Sequence, residues 1–240
     1  MTPEPGGADV VILAAGRGRR MGLDAHKALV PVLAGKGTLE RLLMQLAGLP
    51  AGAVTVVTGY RSDEVAASVR AFLPRARCVH NPAFATTELL QSLACAFTRA
   101  PPTRDCWVLL ADTLYSDAAL AALFAAPPGG LALAVTARTP DDAGAIAVTV
   151  RDGAVVALAE AAASSAWCMA HAVRWPPMLQ ARACAAAAAG LRFQWQAIAA
   201  LQREPTTAAF PIRAIMLPLG GARDLDTQAD LEQARSLVSP

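Results

Sequence analysis

Residues 10–21 read VVILAAGRGRRM, and this stretch decides the fold. The run from Val10 to Leu13 is apolar and β-branched, with no polar alternation, so it reads as a strand buried on both faces of a helix-covered parallel sheet. It stops at Ala14-Ala15-Gly16. The loop Gly16-Arg17-Gly18-Arg19-Arg20 then combines two glycines with three arginines. Glycine admits close backbone approach, and arginine offers fork-shaped donors to phosphate oxygens. Backbone N–H groups at such a turn suit a phosphate chain. The same loop with solvated arginines also serves as a plain tight turn.

Two competing phosphate loops are excluded by spacing. A Walker A loop needs G-x-x-x-x-G-K-[ST], and Met21-Gly22-Leu23 breaks it. A dinucleotide fingerprint needs a third glycine where Met21 stands, and an acidic residue closing the second strand, where Thr58-Gly59-Tyr60 is found. A nicotinamide oxidoreductase is therefore disfavoured.

Working outward, leucines at 39, 42, 43, 46 and 49 predict a helix. Residues 54–58 predict a second buried strand and 62–72 an amphipathic helix with Ser62 as N-cap. Strands follow at 77–80, 107–111 and 131–137, with helices at 87–98 and 117–125. The alternation predicts an α/β fold with a mostly parallel central sheet and helices on both faces. Such sheets bind ligands beyond the carboxyl ends of their strands. Both the glycine-arginine loop and Asp112 stand at such ends. Runs at 145–150 and 155–158 around Asp152-Gly153 predict a hairpin. Residues 160–190 are alanine-rich and carry little pattern, apart from a helix expected over 180–189. A final strand at 214–217 leads to Asp224-Leu225-Asp226-Thr227, where Thr227 and Asp230 form a capping box opening the last helix.

Composition narrows the function. The 240 residues carry a formal net charge of +2, which gives no reason to expect nucleic-acid binding. Hydrophobic residues make up 55% and aromatics 5%, so the core is built of Ala, Leu and Val. Five cysteines at irregular spacing form no metal motif and point to a reduced, cytoplasmic protein. The uncharged stretch 118–137 is broken by Pro127-Pro128-Gly129-Gly130, so no membrane span is expected.

Leu13-Ala14-Ala15-Gly16-x-Gly18-x-Arg20-Met21-Gly22, followed by Lys27-x-Leu29-x-Pro31-Val32, Gly35-Lys36 and Leu39-Glu40, resembles the N-terminal signature of the sugar-phosphate and choline-phosphate nucleotidyltransferases. The resemblance continues at residues 56–60, at Ser92-Leu93, at Ala111-Asp112 and at 224–231. It implies a nucleotide-diphospho-sugar transferase-like fold with a small substrate-binding insertion. It also implies that Leu13, Ala14, Ala15, Gly16, Arg17, Gly18 and Ser92 surround the nucleotide. Arg20 would meet the β- and γ-phosphates, Lys27 the α-phosphate, and Asp112 and Asp226 would bind Mg²⁺. The chemistry agrees, since in-line displacement at phosphorus needs alignment and charge neutralisation, and hard Mg²⁺ takes carboxylates and phosphate oxygens. Tyr115, Glu160 and Asp224 are candidates for the acceptor, as are the indoles of Trp167, Trp175 and Trp195.

Plainer roles stay open for each. Asp112 also suits a turn cap, Asp226 a helix-dipole charge, Ser92 a helix cap or core position, and Asp224 the surface or a second metal contact. The sequence departs from the family at His26, where proline is usual, and at Thr87-Glu88-Leu89-Leu90-Gln91-Ser92-Leu93, which lacks the paired asparagines of the choline-phosphate branch. His26 suits either an exposed position or contact with the acceptor.

The function so implied is Mg²⁺-dependent transfer of CMP from CTP to a small phosphonate, such as 2-aminoethylphosphonate, or to a phosphocholine-like acceptor. A sugar-1-phosphate or molybdenum-cofactor-type nucleotidyltransferase is the alternative. A non-catalytic nucleotide-binding regulator is the alternative from another class. The expected organisation is one compact domain: a disordered tail over 1–9, a nucleotide-binding core over 10–139 and 214–238, and a substrate-binding lobe over 140–213. A homodimer is left open.

Overall fold

The computed structural model describes residues 7–22, 24–139, 144–160, 165–204 and 211–236. Most of the expected tail lies outside the described residues, and Asp9 already opens the first strand. Strand β1 (Asp9–Ala14) is buried at every position. It pairs in parallel with β2 (Val54–Thr58) on one side and β4 (Cys106–Leu110) on the other. β3 (Arg77–His80) extends this parallel half beyond β2.

The two faces of β1 explain its unbroken apolar run. Val10, Ile12 and Ala14 meet α1 (Thr38–Ala47), α2 (Ser62–Phe72) and α4 (Asp117–Ala125). Val11, Leu13 and Ala15 meet α3 (Leu89–Arg99), α5 (Pro177–Ala188) and α6 (Gln194–Gln202). Helices on both faces of a sheet are thus confirmed. Ser62 is the first helical residue rather than the cap; Arg61 occupies the N-cap in a left-handed conformation.

The sheet is mixed, which corrects the expectation of a mostly parallel one. Its order is β3-β2-β1-β4, then β9 (Trp167–Trp175), β6 (Ala132–Ala137), β10 (Arg213–Met216), β8 (Ala154–Glu160) and β7 (Ile146–Arg151). β9 runs antiparallel between β4 and β6. β10 pairs in parallel with β6, and the hairpin β7–β8 closes the far side. Part of the stretch read as a substrate lobe therefore lies mid-sheet. Arg174, on β9, is buried there by donating to the carbonyls of Gly129 and Gly130, with its guanidinium 5.5 Å from the Trp107 ring centre.

A second, two-stranded ribbon pairs β5 (Thr113–Tyr115) with β11 (Ala222–Asp224), placing Asp224 opposite Thr113. Leu225 N then donates to the Asp112 carbonyl at 3.1 Å. Helix α7 (Gln228–Ser236) follows. Its predicted capping box is present: Thr227 N donates to Asp230 Oδ2 at 2.8 Å, and Asp230 N donates to Thr227 Oγ1 at 3.2 Å. No described helix is long and apolar enough to cross a membrane.

Candidate active site

The carboxyl ends of β1 and β4 open into a cleft of about 940 Å³. Leu13, Ala14, Gly16, Arg17, Gly18 and Arg20 line one wall; Lys27, Asp112, Asp224 and Asp226 line its floor. Lys27 and Asp226, 199 positions apart, meet here because the β5–β11 ribbon folds the Asp224-Leu225-Asp226 segment back onto the end of β4.

At the centre stands Lys27, on a 3-10 turn over Lys27–Leu29. Its Nζ lies 2.6 Å from Asp112 Oδ2 and 2.6 Å from Asp226 Oδ1. Arg20 reaches the other oxygen of Asp226 at 2.9 Å. Burial opposes the lysine's charge, but Asp112 and then Asp226 outweigh it and hold its pKa above the ordinary value. Burial raises the pKa of Asp112; Lys27 counters this, and the charge of Asp224 adds to it. Two carboxylates thus converge on one cation.

Gly18 explains part of how the lysine is placed. Its φ is +62°, and a Cβ there would lie 2.8 Å from Lys27 Cβ. The lysine stem lies flat against the glycine. Gly16 differs: a Cβ there would meet nothing within 4 Å.

His26 is buried in the cleft wall, not exposed. It is 2% exposed, and its Nε2 donates to the Ala14 carbonyl at 3.0 Å, tying the Lys27 turn to the end of β1. Because a carbonyl only accepts, the neutral ring carries its proton on Nε2. Nδ1 is then a buried acceptor without a hydrogen-bond partner among the described residues. Burial lowers the ring's pKa, partly offset by the Ala14 carbonyl. In the unfolded chain the ring protonates near its ordinary value, while the folded site resists the proton, so its stability contribution is lost as pH falls below about 6.5. Thermal unfolding of the wild type should therefore show a loss between pH 7 and pH 5 that is smaller in His26→Gln; equal losses would refute this role. His26→Ala should cost about 1–3 kcal/mol by leaving the Ala14 carbonyl without this donor.

The acceptor-side candidates divide. Glu160, at the end of β8, and Trp195, on α6, line the cleft. Tyr115 does not: it is buried, its hydroxyl accepting from Leu110 N and donating to the His171 carbonyl, both at 3.2 Å. Ser92 also sits behind the wall, its Oγ accepting from Asn81 Nδ2 at 3.0 Å, while the same amide reaches Thr87 Oγ1 at 2.9 Å. Trp175 is a core residue donating to Gln194 Oε1, and Trp167 is outside the cleft wall.

His171, which nothing in its local sequence singles out, also lines the cleft. Its Nε2 is 3.0 Å from Asp224 Oδ2, and Thr113 Oγ1 donates to the other oxygen of Asp224. Both oxygens of Asp224 are engaged away from Lys27, whereas Asp112 and Asp226 converge on its Nζ. Burial opposes protonation of His171, but Asp224 outweighs it and raises its pKa. Burial would raise the pKa of Asp224, but His171 and Thr113 hold it below the usual carboxylate range.

A loop of arginines and glycines over a lysine-carboxylate floor is the arrangement a triphosphate needs, and comparison with known proteins names the family. Residues 10–207 match the MobA-like NTP transferase domain. The chain belongs to that family. It is a nucleotidyltransferase. It is similar to the bifunctional protein GlmU of Methylibium petroleiphilum, 40% identical over 68 residues, a match spanning 28% of this chain and 15% of the length of that relative. The CTP:phosphocholine cytidylyltransferase from Streptococcus pneumoniae has the same fold, with a TM-score of 0.77 at 16% identity over 96% of this chain and 99% of that one. So does the inositol-1-phosphate CTP transferase from T. maritima, with a TM-score of 0.72 at 14% identity over 98% and 100% of the two chains.

Proposed function

We propose that the protein transfers CMP from CTP to a phosphate or phosphonate oxygen of a small acceptor, releasing pyrophosphate. The observation that carries this reading is Lys27 Nζ held 2.6 Å from both Asp112 and Asp226 beneath the Gly16–Arg20 loop. With nucleotide in the cleft, Ala14 and Gly16 border the ribose and base; Ala15, expected beside them, is buried in the core instead. Arg20 and the loop amides hold the departing pyrophosphate. Lys27 exchanges its carboxylates for the α-phosphate, where charge grows in the transition state.

The donor set fits a hard divalent ion. Among the described residues there is no cluster of three or more His, Cys, Asp or Glu side chains arranged to hold a metal. Asp112 and Asp226 alone match Mg²⁺, which takes one or two carboxylates and completes its shell with phosphate oxygens and water. Bound there, it would neutralise triphosphate charge and help align the α-phosphate. Glu160 and the Trp195 ring suit an ammonium group on the acceptor, which favours 2-aminoethylphosphonate or phosphocholine over a sugar phosphate, which has no cationic group. Ser92 contributes through Asn81 and Thr87.

The test is pyrophosphate release with Mg²⁺, each of the four NTPs, and a panel of 2-aminoethylphosphonate, phosphocholine and sugar-1-phosphates. Release is expected with CTP and an amino-bearing acceptor. Release only with another NTP and a sugar phosphate would replace this reading with the sugar-nucleotide one. Failure of all four NTPs to bind would refute it.

A further inference from the structure

Among the described residues lining the cleft, the cationic or titratable basic groups are Arg17, Arg20, Lys27, His26 and His171. The first three belong to the nucleotide side in the reading above, on which this inference rests. His26 is buried and spends its donor on the Ala14 carbonyl. An acceptor whose attacking atom is an anionic phosphate or phosphonate oxygen still needs a cation of its own, because its charge is repelled by the triphosphate it approaches. His171 is what remains.

Its placement is built rather than incidental. β6 and β9 pair at Leu133↔Val173 and again at Val135↔Met169, so β9 spends four residues where β6 spends two. His171 lies inside that bulge with φ +54°, a left-handed conformation. Such a conformation is strained for a non-glycine residue, and bulges re-aim side chains beside functional sites. Two fixings hold it. The buried Tyr115 hydroxyl grips the His171 carbonyl, and Asp224 grips Nε2. The side chain stays 37% exposed, and Nδ1 is the ring nitrogen that remains for a ligand.

We propose that His171, oriented by Asp224, binds the anionic phosphate or phosphonate head of the acceptor and sets it beside the α-phosphate. Asp224 is then the positioning residue and His171 the one that touches substrate. This group choice makes the site select dianionic heads over neutral hydroxyl acceptors.

The test uses His171→Asn, because asparagine tolerates the left-handed conformation while removing the cation. Binding of α,β-methylene CTP with Mg²⁺ is measured first, then binding of methylphosphonate to the loaded protein, by calorimetry and by imidazole NMR. With three histidines in the chain, the ring signals are separable. Expected are a perturbed His171 signal in the wild type, methylphosphonate affinity weakened about tenfold or more in His171→Asn, and unchanged nucleotide-analogue affinity. Equal methylphosphonate affinity in both proteins, or none in the wild type, overturns the proposal. So does a loss of analogue affinity in the variant, which would mark a structural role. Failure of the wild type to bind the analogue instead sinks the cytidylyl-transfer reading itself.

Discussion

Lys27→Met is expected to reduce turnover by on the order of 10²–10³-fold, the loss seen when one group aimed at developing transition-state charge is removed, and at the same time to tighten divalent-ion binding in the absence of nucleotide. The second effect follows from geometry. The ammonium stands 2.6 Å from one oxygen of each of Asp112 and Asp226. It therefore occupies the point at which a cation would meet both carboxylates. Methionine keeps the length and burial of the stem while removing the charge. The two carboxylates are left facing each other, with Arg20 countering only Asp226. Asp112, whose pKa is already raised, is driven further up. The variant should unfold at a lower temperature than the wild type, and Mn²⁺ should restore more of that stability than it adds to the wild type. Mn²⁺ affinity, read by paramagnetic resonance without nucleotide, should rise about tenfold. An unchanged Mn²⁺ affinity would show that these carboxylates do not form the ion's site, whatever happens to turnover.

Local sequence signals read that pair only as two separate aspartates, and it was the family resemblance that put them together. Asp112 closes an apolar strand and Asp226 opens a capped helix, and each local signal is sound. The capping box at Thr227 and Asp230 needs only residues three apart, and it formed as read. What joins the aspartates is the pairing of 113–115 with 222–224. Two three-residue strands so far apart in the chain carry no periodicity to find. The parallel half of the sheet was readable for the opposite reason: β1, β2 and β4 are buried on both faces, so each is dominated by apolar, mostly β-branched or aliphatic residues without polar alternation.

β9 escaped because its sequence, WCMAHAVRW, mixes alanine with a histidine and an arginine. Arg174 belongs there because carbonyls at 126, 129 and 130 receive it, with Asp105 and the Trp107 ring beside its charge. No local rule announces an antiparallel strand inserted between two parallel ones. With β9 unseen, the bulge that presents His171 was unseen too. A histidine flanked by alanines gives no sign of a left-handed backbone. Ser92 and Tyr115 lie behind the cleft wall, and only packing shows that Asn81 and the His171 carbonyl, respectively, engage their hydroxyls.

The two glycines of the loop, equivalent in sequence, should behave differently when given a methyl group. Gly18→Ala should lower turnover about 100-fold, whereas Gly16→Ala should leave turnover close to wild type and raise KM for the nucleotide. At Gly18 the backbone is left-handed at φ +62°, so alanine costs roughly 1–2 kcal/mol before any contact is counted. Its Cβ would then lie 2.8 Å from Lys27 Cβ and 2.9 Å from Lys27 Cδ. The Cδ can swing away, but the Cβ is fixed to the 3-10 turn that His26 ties to β1, so the whole turn must shift. A displacement of about 1 Å at a group that stabilises charge is enough for a 100-fold loss. At Gly16 no atom lies within 4 Å of the added Cβ, and φ is not left-handed, so the apo fold has no reason to change. The methyl enters space beside the cleft wall that the nucleotide would use, which penalises ground state and transition state alike and so moves KM rather than turnover. Steady-state pyrophosphate release with CTP varied, alongside melting temperatures of both variants, separates the two. If Gly16→Ala lost turnover while Gly18→Ala kept it, the loop would be positioning phosphate through Gly16, and the lysine would not depend on the glycine it lies against.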